Sequence, residues 1–97
     1  MTVSEYIFDF LQKKGVNTVY MVSGSSAMWL TDALQRNEML KAVCCQHEQV
    51  AAMAADATGR VSGVPGVVLV TIGPGATNAI TGVAGAFTDS SPMFILS

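Results

Sequence analysis

Gly66-Val67-Val68-Leu69-Val70-Thr71-Ile72 runs without a charge and without polar alternation, and Gly73-Pro74-Gly75 stops it. A continuous apolar strand is covered on both faces, the condition of a strand inside a parallel sheet. Parallel neighbours need a long crossover, usually a helix. The run therefore demands helices on both faces of a sheet, and the flanking sequence has to supply them.

It does so in alternation. Ser4 is placed to cap a helix with Ile7, Phe8, Phe10 and Leu11 on its apolar side, and Gly15 is placed to end it. Asn17 to Val22 reads as a strand, followed by the small-residue turn Ser23-Gly24-Ser25-Ser26. Ala27 to Arg36 reads as a helix, Lys41 to Cys45 as a short strand, and Glu48 to about Arg60 as an alanine-rich helix. After the long apolar strand, Thr77 to Phe87 reads as a helix with Gly82 and Gly85 inside it. Asp89-Ser90-Ser91-Pro92 then turns into a last strand beginning at Met93. Met28, Trp29, Met53 and Met93 read as packing residues. Helix and strand alternate throughout, which predicts an α/β fold, a parallel sheet joined by right-handed crossovers.

Charge is unevenly spread. Of the 97 residues, 51% are hydrophobic and 12% charged, and from Val61 to Ser97 the only charged residue is Asp89. A free-standing domain of this size leaves about a third of its unfolded surface in water. The sequence therefore reads as an incomplete domain, or as a module that buries surface in an assembly. Gly82 and Gly85, with Ala79, Ala84 and Ala86, predict a smooth helix surface for a partner subunit's helix.

Several classes are excluded. Val61 to Thr88 is uncharged and long enough to cross a bilayer, but Pro65, Gly73-Pro74-Gly75 and Asn78 would leave backbone groups unsatisfied in lipid. No membrane span is expected. Thr2 to Phe10 carries Glu5 and Asp9 and no base, unlike a signal peptide. Cys44 and Cys45 are adjacent, without a CxxC or histidine cluster, so a reducing cytoplasm is the expected setting and no metal site is expected. No basic patch suggests nucleic acid as a partner.

Two features sit at equivalent strand ends: Gln46-His47-Glu48-Gln49 and Gly73-Pro74-Gly75-Ala76-Thr77-Asn78. Ligands of open parallel sheets bind outside the carboxyl ends of the strands, so these read as two walls of one site. Glu48 has a plain reading as an acid favoured by the helix dipole. Its functional reading is a carboxylate in an apolar surround of Val43, Val50, Ala51 and Ala52, suited to proton exchange with a nitrogen heterocycle. His47 reads as a structural hydrogen-bonder. The glycine turn has no Lys-Ser or Lys-Thr after it and is no P-loop. It half-fits the dinucleotide fingerprint, with Asn78 at the last glycine position and Pro74 lacking an N–H for a phosphate.

Taken together, His47-Glu48-Gln49, Ala54-Ala55-Asp56, Val70 to Asn78, Thr81-Gly82 and Asp89-Ser90-Ser91-Pro92-Met93 resemble one family. It is the N-terminal, pyrimidine-binding domain of thiamine-diphosphate enzymes of the acetolactate synthase group. Gly15-Val16, Val22-Ser23-Gly24 and Asp32-Ala33-Leu34 fit the same register. The resemblance implies a thiamine-diphosphate-binding fold, with residues 1–97 as the N-terminal part of one pyrimidine-binding domain and no further domain in the chain. It implies decarboxylation or carboligation of a 2-oxo acid. Glu48 matches the catalytic glutamate that hydrogen-bonds N1′ of the aminopyrimidine and so promotes loss of the thiazolium C2 proton. Pro74 and Asn78 match positions lining that ring, and Gly24 and Ser25 a loop approaching cofactor and substrate. The resemblance further implies a homodimer or homotetramer with the site at the interface, with diphosphate and Mg2+ held by a domain not in this chain. It leaves FAD open.

The chain departs from that pattern. Ser23-Gly24-Ser25-Ser26 stands where acetolactate synthases usually have Pro-Gly-Gly, and Ala57-Thr58-Gly59-Arg60 where Gly-Tyr-Ala-Arg is usual. Met21-Val22-Ser23-Gly24 with Ala27-Met28 is closer to enzymes of surface-polysaccharide and unusual-sugar pathways. Two alternatives stand beside this reading: a dinucleotide-binding oxidoreductase domain, and a non-catalytic truncated subunit.

Overall fold

A computed structural model describes residues 1–97. Helix α1 spans Val3–Lys13. Thr2, not Ser4, caps it: Glu5 N donates to Thr2 Oγ1 at 3.2 Å and Thr2 N to Glu5 Oε2 at 2.8 Å. Thr2-Val3-Ser4-Glu5 has the Thr-x-x-Glu spacing of a capping box, which Ser4 cannot form. Gly15, at φ 94, turns the chain into β1 (Thr18–Met21). A 3₁₀ turn at Ser25–Ala27 leads into α2 (Met28–Arg36), then β2 (Lys41–Cys44) and α3 (Glu48–Ser62). Next come β3 (Gly66–Leu69), α4 (Pro74–Asn78), α5 (Ile80–Thr88) and β4 (Met93–Leu96).

The sheet is parallel throughout, in the order β2-β1-β3-β4. Strand β3 is buried at every residue, as its unbroken apolar run requires. Alternate strand residues face two cores. Val19, Met21, Val67 and Leu69 meet Phe8 and Leu11 of α1 and Ala33 and Leu34 of α2. Val68 and Val70 meet Ala51, Ala52 and Ala55 of α3, with Tyr20 and Val83 at the margin. From β1 the chain steps outward to β2 over α2, then back past β1 to β3 over α3, and on to β4 over α5. Right-handed crossovers change face when the direction reverses, so α2 lies on one side and α3 with α5 on the other.

The second face is built from small residues. A Cβ on Gly66 would collide with the carbonyl of Ala55, and one on Gly59 with that of Pro92. A Cβ on Gly82 would fall 2.6 Å from Ala52 Cβ. The close approach expected of a partner subunit's helix at Gly82 is therefore made by α3 of the same chain. The helix expected from Thr77 to Phe87 is divided. It begins at Pro74, whose missing N–H costs nothing in a first turn, and breaks at Ala79 (φ −84, ψ −10). Thr77 Oγ1 donates to the Pro74 carbonyl at 3.1 Å, a side-chain bond of the kind that bends helices.

Some packing expectations fail. Trp29 is 71% exposed and Met28 and Met53 are also exposed, while Met93 does pack on the second core. On α2 the buried stripe is Ala33 and Leu34, and Trp29 falls outside it. No helix is long and apolar enough to cross a membrane.

Candidate functional site

The chain reverses its direction of travel between β1 and β3, and sheets of this kind open their binding crevice at such a point. The segments leaving the carboxyl edge there are Val22 to Ser26 after β1 and Val70 to Gly75 after β3. Glu48 opens α3 beside them, after β2.

Glu48 is buried, at 9% exposure, and forms no salt bridge. Asn78 Nδ2 donates to its Oε1 at 3.2 Å. Its Oε2 accepts no hydrogen bond from the protein and faces Gly75, where a Cβ would lie 3.4 Å away. A buried carboxylate oxygen without a protein donor is an open acceptor, a place for a ligand's hydrogen-bonding group. Val50, expected in the apolar surround, is 57% exposed and points away, whereas Ala51 and Ala52 are fully buried. His47 is structural: it is the N-cap of α3, and its Nδ1 accepts from Gln49 N at 3.0 Å.

The glycine turn is shaped around this carboxylate. Gly73 has φ 73, a value L-residues avoid, and Pro74 starts α4. Gly75 is buried, and a Cβ there would also lie 2.7 Å from Thr71 Cγ2. A turn without an N–H at Pro74 and with a carboxylate against Gly75 repels a pyrophosphate, which argues against the dinucleotide reading. Gly24 lies against Thr71. Ser25 lines a cavity of about 390 Å³ with Ser23, Gly24, Met28, Thr31, Asp32 and Gln35, which Glu48 does not line. The structure thus brings Glu48, Asn78 and the Pro74 turn together and leaves Ser25 apart from them.

Two residues outside the expected set hold the region together. Ser26 Oγ is hydrogen-bonded to Thr71 Oγ1 and accepts from Ile72 N at 3.0 Å. Their sequence signal is a hydroxyl just beyond each of the two strands that flank the reversal, which an apolar-strand reading of Thr71 hides.

The cations lie at the other edge. Lys13 and Lys14 end α1, Arg36 ends α2, Lys41 opens β2 and Arg60 lies in the last turn of α3. Basic residues in last helical turns suit the dipole, and helices that return the chain between parallel strands end at the amino edge. No cluster of His, Cys, Asp or Glu can hold a metal ion. Nothing beside Glu48 fits a diphosphate or magnesium.

The thiamine pyrophosphate enzyme N-terminal TPP binding domain matches this chain over residues 1–97. The chain belongs to that family. Over 94 residues it is 44% identical to acetolactate synthase isozyme 3 large subunit of Escherichia coli (strain K12). It is 42% identical to acetolactate synthase large subunit of Haemophilus influenzae, and 36% to the chloroplastic acetolactate synthase of Arabidopsis thaliana. Each alignment covers 97% of this chain. The chain spans only 14% to 16% of the length of these relatives. A TPP binding domain needs a surface for an aminopyrimidine, a flat ring with N–H donors and ring-nitrogen acceptors. Glu48 Oε2, which accepts no hydrogen bond from the protein, fits such a ring.

Proposed function

We propose that this chain forms the pyrimidine-binding part of an acetolactate synthase-like enzyme that decarboxylates a 2-oxo acid and joins the remaining fragment to a second carbonyl. Bound thiamine diphosphate supplies the electron sink for the decarboxylation. Glu48 hydrogen-bonds the cofactor's N1′ and exchanges a proton with it, which favours the imino form that activates the cofactor. Asn78 holds the carboxylate by its other oxygen, and Pro74 lines the ring. Gly24 and Ser25 lie on the loop that meets substrate. The observation that carries this reading is the Glu48 carboxylate, buried, held by Asn78 at one oxygen and open at the other.

Diphosphate and Mg2+ are proposed to be held by residues outside these 97, since every Lys and Arg stands at the opposite sheet edge. That supports a homodimer or homotetramer with the site at an interface. Exposed Val50, Met53, Ile80 and Phe87 on α3 and α5 supply apolar surface for one. Free Cys44 and Cys45 support a reducing, cytoplasmic setting. A finer reading, an acceptor from sugar or polysaccharide biosynthesis, is favoured by the Ser23, Ser25, Asp32 and Gln35 groups of the cavity beside Gly24. Such groups can pair with a hydroxylated substrate.

The test is Glu48→Gln in the full-length protein. The change is isosteric, so the melting temperature should hold. Exchange of the C2 proton of bound thiamine diphosphate, followed by NMR, should slow by roughly 10²–10⁴-fold, the range of a positioned acid–base group. Wild-type exchange would overturn the role of Glu48.

A further inference from the structure

Thr71 is where the two loops of the reversal point meet. It leaves β3 at the carboxyl edge, and three groups close on it. Gly24, from the loop after β1, is so near that a Cβ would overlap the Thr71 side chain. Gly75, at the start of α4, would place a Cβ 2.7 Å from Thr71 Cγ2. Ser26, from the 3₁₀ turn that opens α2, bonds Thr71 Oγ1 and takes the N–H of Ile72 at 3.0 Å. Ser26 and Thr71 are 45 residues apart. Their hydroxyl bridge closes the mouth of the sheet between two strands that do not follow one another in the chain.

The bridge continues to the carboxylate. The Thr71 methyl supports Gly75, the open face of Gly75 lies against Glu48 Oε2, and one turn later Asn78 holds Oε1. Helix α4 is only five residues long and has no side-chain cap of its own. Its position over Glu48 therefore depends on what anchors Thr71 and Ile72. Strand β3 anchors them from behind, and the Ser26 hydroxyl anchors them from the front. Each intervening position is filled by a glycine or a methyl in contact, so little slack remains between Ser26 and the carboxylate.

We infer that Ser26 is a positioning residue: its hydroxyl ties the β1 loop to Thr71 and Ile72 and so sets how the Gly73–Asn78 segment sits over Glu48. This rests on the proposed role of Glu48 and adds to it. A loop that meets substrate is thereby coupled to the group that activates the cofactor. The coupling runs through the last hydroxyl of the Ser23-Gly24-Ser25-Ser26 turn.

The test uses Ser26→Ala in the full-length protein, with Ser26→Thr as the hydroxyl-retaining control. Without cofactor, amide hydrogen exchange of a peptide spanning Thr71–Asn78 should run roughly fivefold faster or more in Ser26→Ala, because the Ile72 N–H has lost its acceptor. At saturating thiamine diphosphate and magnesium, C2-proton exchange should fall by roughly 10–100-fold, the scale of a misplacement near 1 Å, and cofactor affinity should hold. Ser26→Thr should restore both rates. If Ser26→Ala folds poorly, Thr71→Val, which keeps a methyl contact and removes the Thr71 hydroxyl while leaving Ser26 Oγ to the Ile72 N–H, should still slow C2-proton exchange, and wild-type C2 exchange in it overturns the positioning role. Unchanged amide exchange overturns the bridge. Faster amide exchange with wild-type C2 exchange overturns the positioning role. Glu48→Gln run in parallel keeps the two readings apart: wild-type C2 exchange in that variant removes the role of Glu48, whatever Ser26→Ala does to the amides.

Discussion

Asn78 Nδ2 reaches Glu48 Oε1 at 3.2 Å across 30 residues of sequence and is the only protein donor to that carboxylate. The bond crosses from the end of α4 to the first residue of α3. It makes the glycine turn and the strand-end glutamate one unit, and it leaves the second carboxylate oxygen to a ligand.

That bond predicts a graded response at position 78. A hydrogen bond to a charged group contributes about 1.5–3 kcal/mol, or roughly 10–100-fold in a rate that depends on it. Asn78→Ala should slow C2-proton exchange of bound cofactor by that factor. Asn78→Asp should slow it further, because a second carboxylate then faces the first. NMR exchange rates at saturating cofactor on both variants provide the check, and equal rates in wild type and Asn78→Asp would contradict the geometry.

The two glycines of α5 should behave oppositely. At Gly82 an alanine Cβ would lie 2.6 Å from Ala52 Cβ and 3.0 Å from Met53 N, so Gly82→Ala should destabilise by roughly 1–3 kcal/mol. At Gly85 the nearest atom is Asp56 Oδ2 at 3.9 Å, and Gly85→Ala should be neutral or stabilising by up to ~1 kcal/mol. Thermal melts of the pair separate close packing from a mere preference for small residues.

Part of the acid sensitivity should trace to α3. Arg60 pairs with Asp56 at 2.8 Å and with Asp89 at 2.8 Å, and donates to the Gly85 carbonyl at 3.2 Å. The Arg60 guanidinium beside Asp56 holds its carboxyl below the ordinary value of 3.8. A pKa depressed by folding means that the stability it contributes is fully present above the unfolded value and lost as pH falls through the folded one. The stability gap between wild type and Asp56→Asn should thus be constant above the ordinary value of 3.8 and close below it. Denaturant titrations across that range measure it.

His47 should prove structural. Removing its Nδ1 acceptor in His47→Ala should cost about 0.5–2 kcal/mol, the range of lost N-caps, and His47→Asn should recover it, because asparagine is a strong cap. C2-proton exchange in His47→Asn should remain at the wild-type level. A large loss there, with stability intact, would make His47 part of the chemistry.

Much was legible in the chain itself, because local patterns report local physics. The unbroken apolar run at Gly66 to Ile72 required a strand buried on both faces, and β3 is one. Gly15 at positive φ and Glu48 as the first residue of α3 follow from residue chemistry over a few positions. Their positions after consecutive strands put Glu48 and the glycine turn that ends in Asn78 at one edge of a parallel sheet. What a pattern of small or apolar residues cannot state is which element covers it. The stripe around Gly82 called for a close neighbour, and only the tertiary structure identified Ala52 of the same chain. Trp29 looked like core, yet α2 buries a different stripe. The strand order β2-β1-β3-β4, the bond from Asn78 to Glu48 and the bridge from Ser26 to Thr71 all join residues far apart in sequence. Such contacts depend on which strand lies beside which, and that is decided by packing across the whole sheet, where no short stretch of sequence carries the answer.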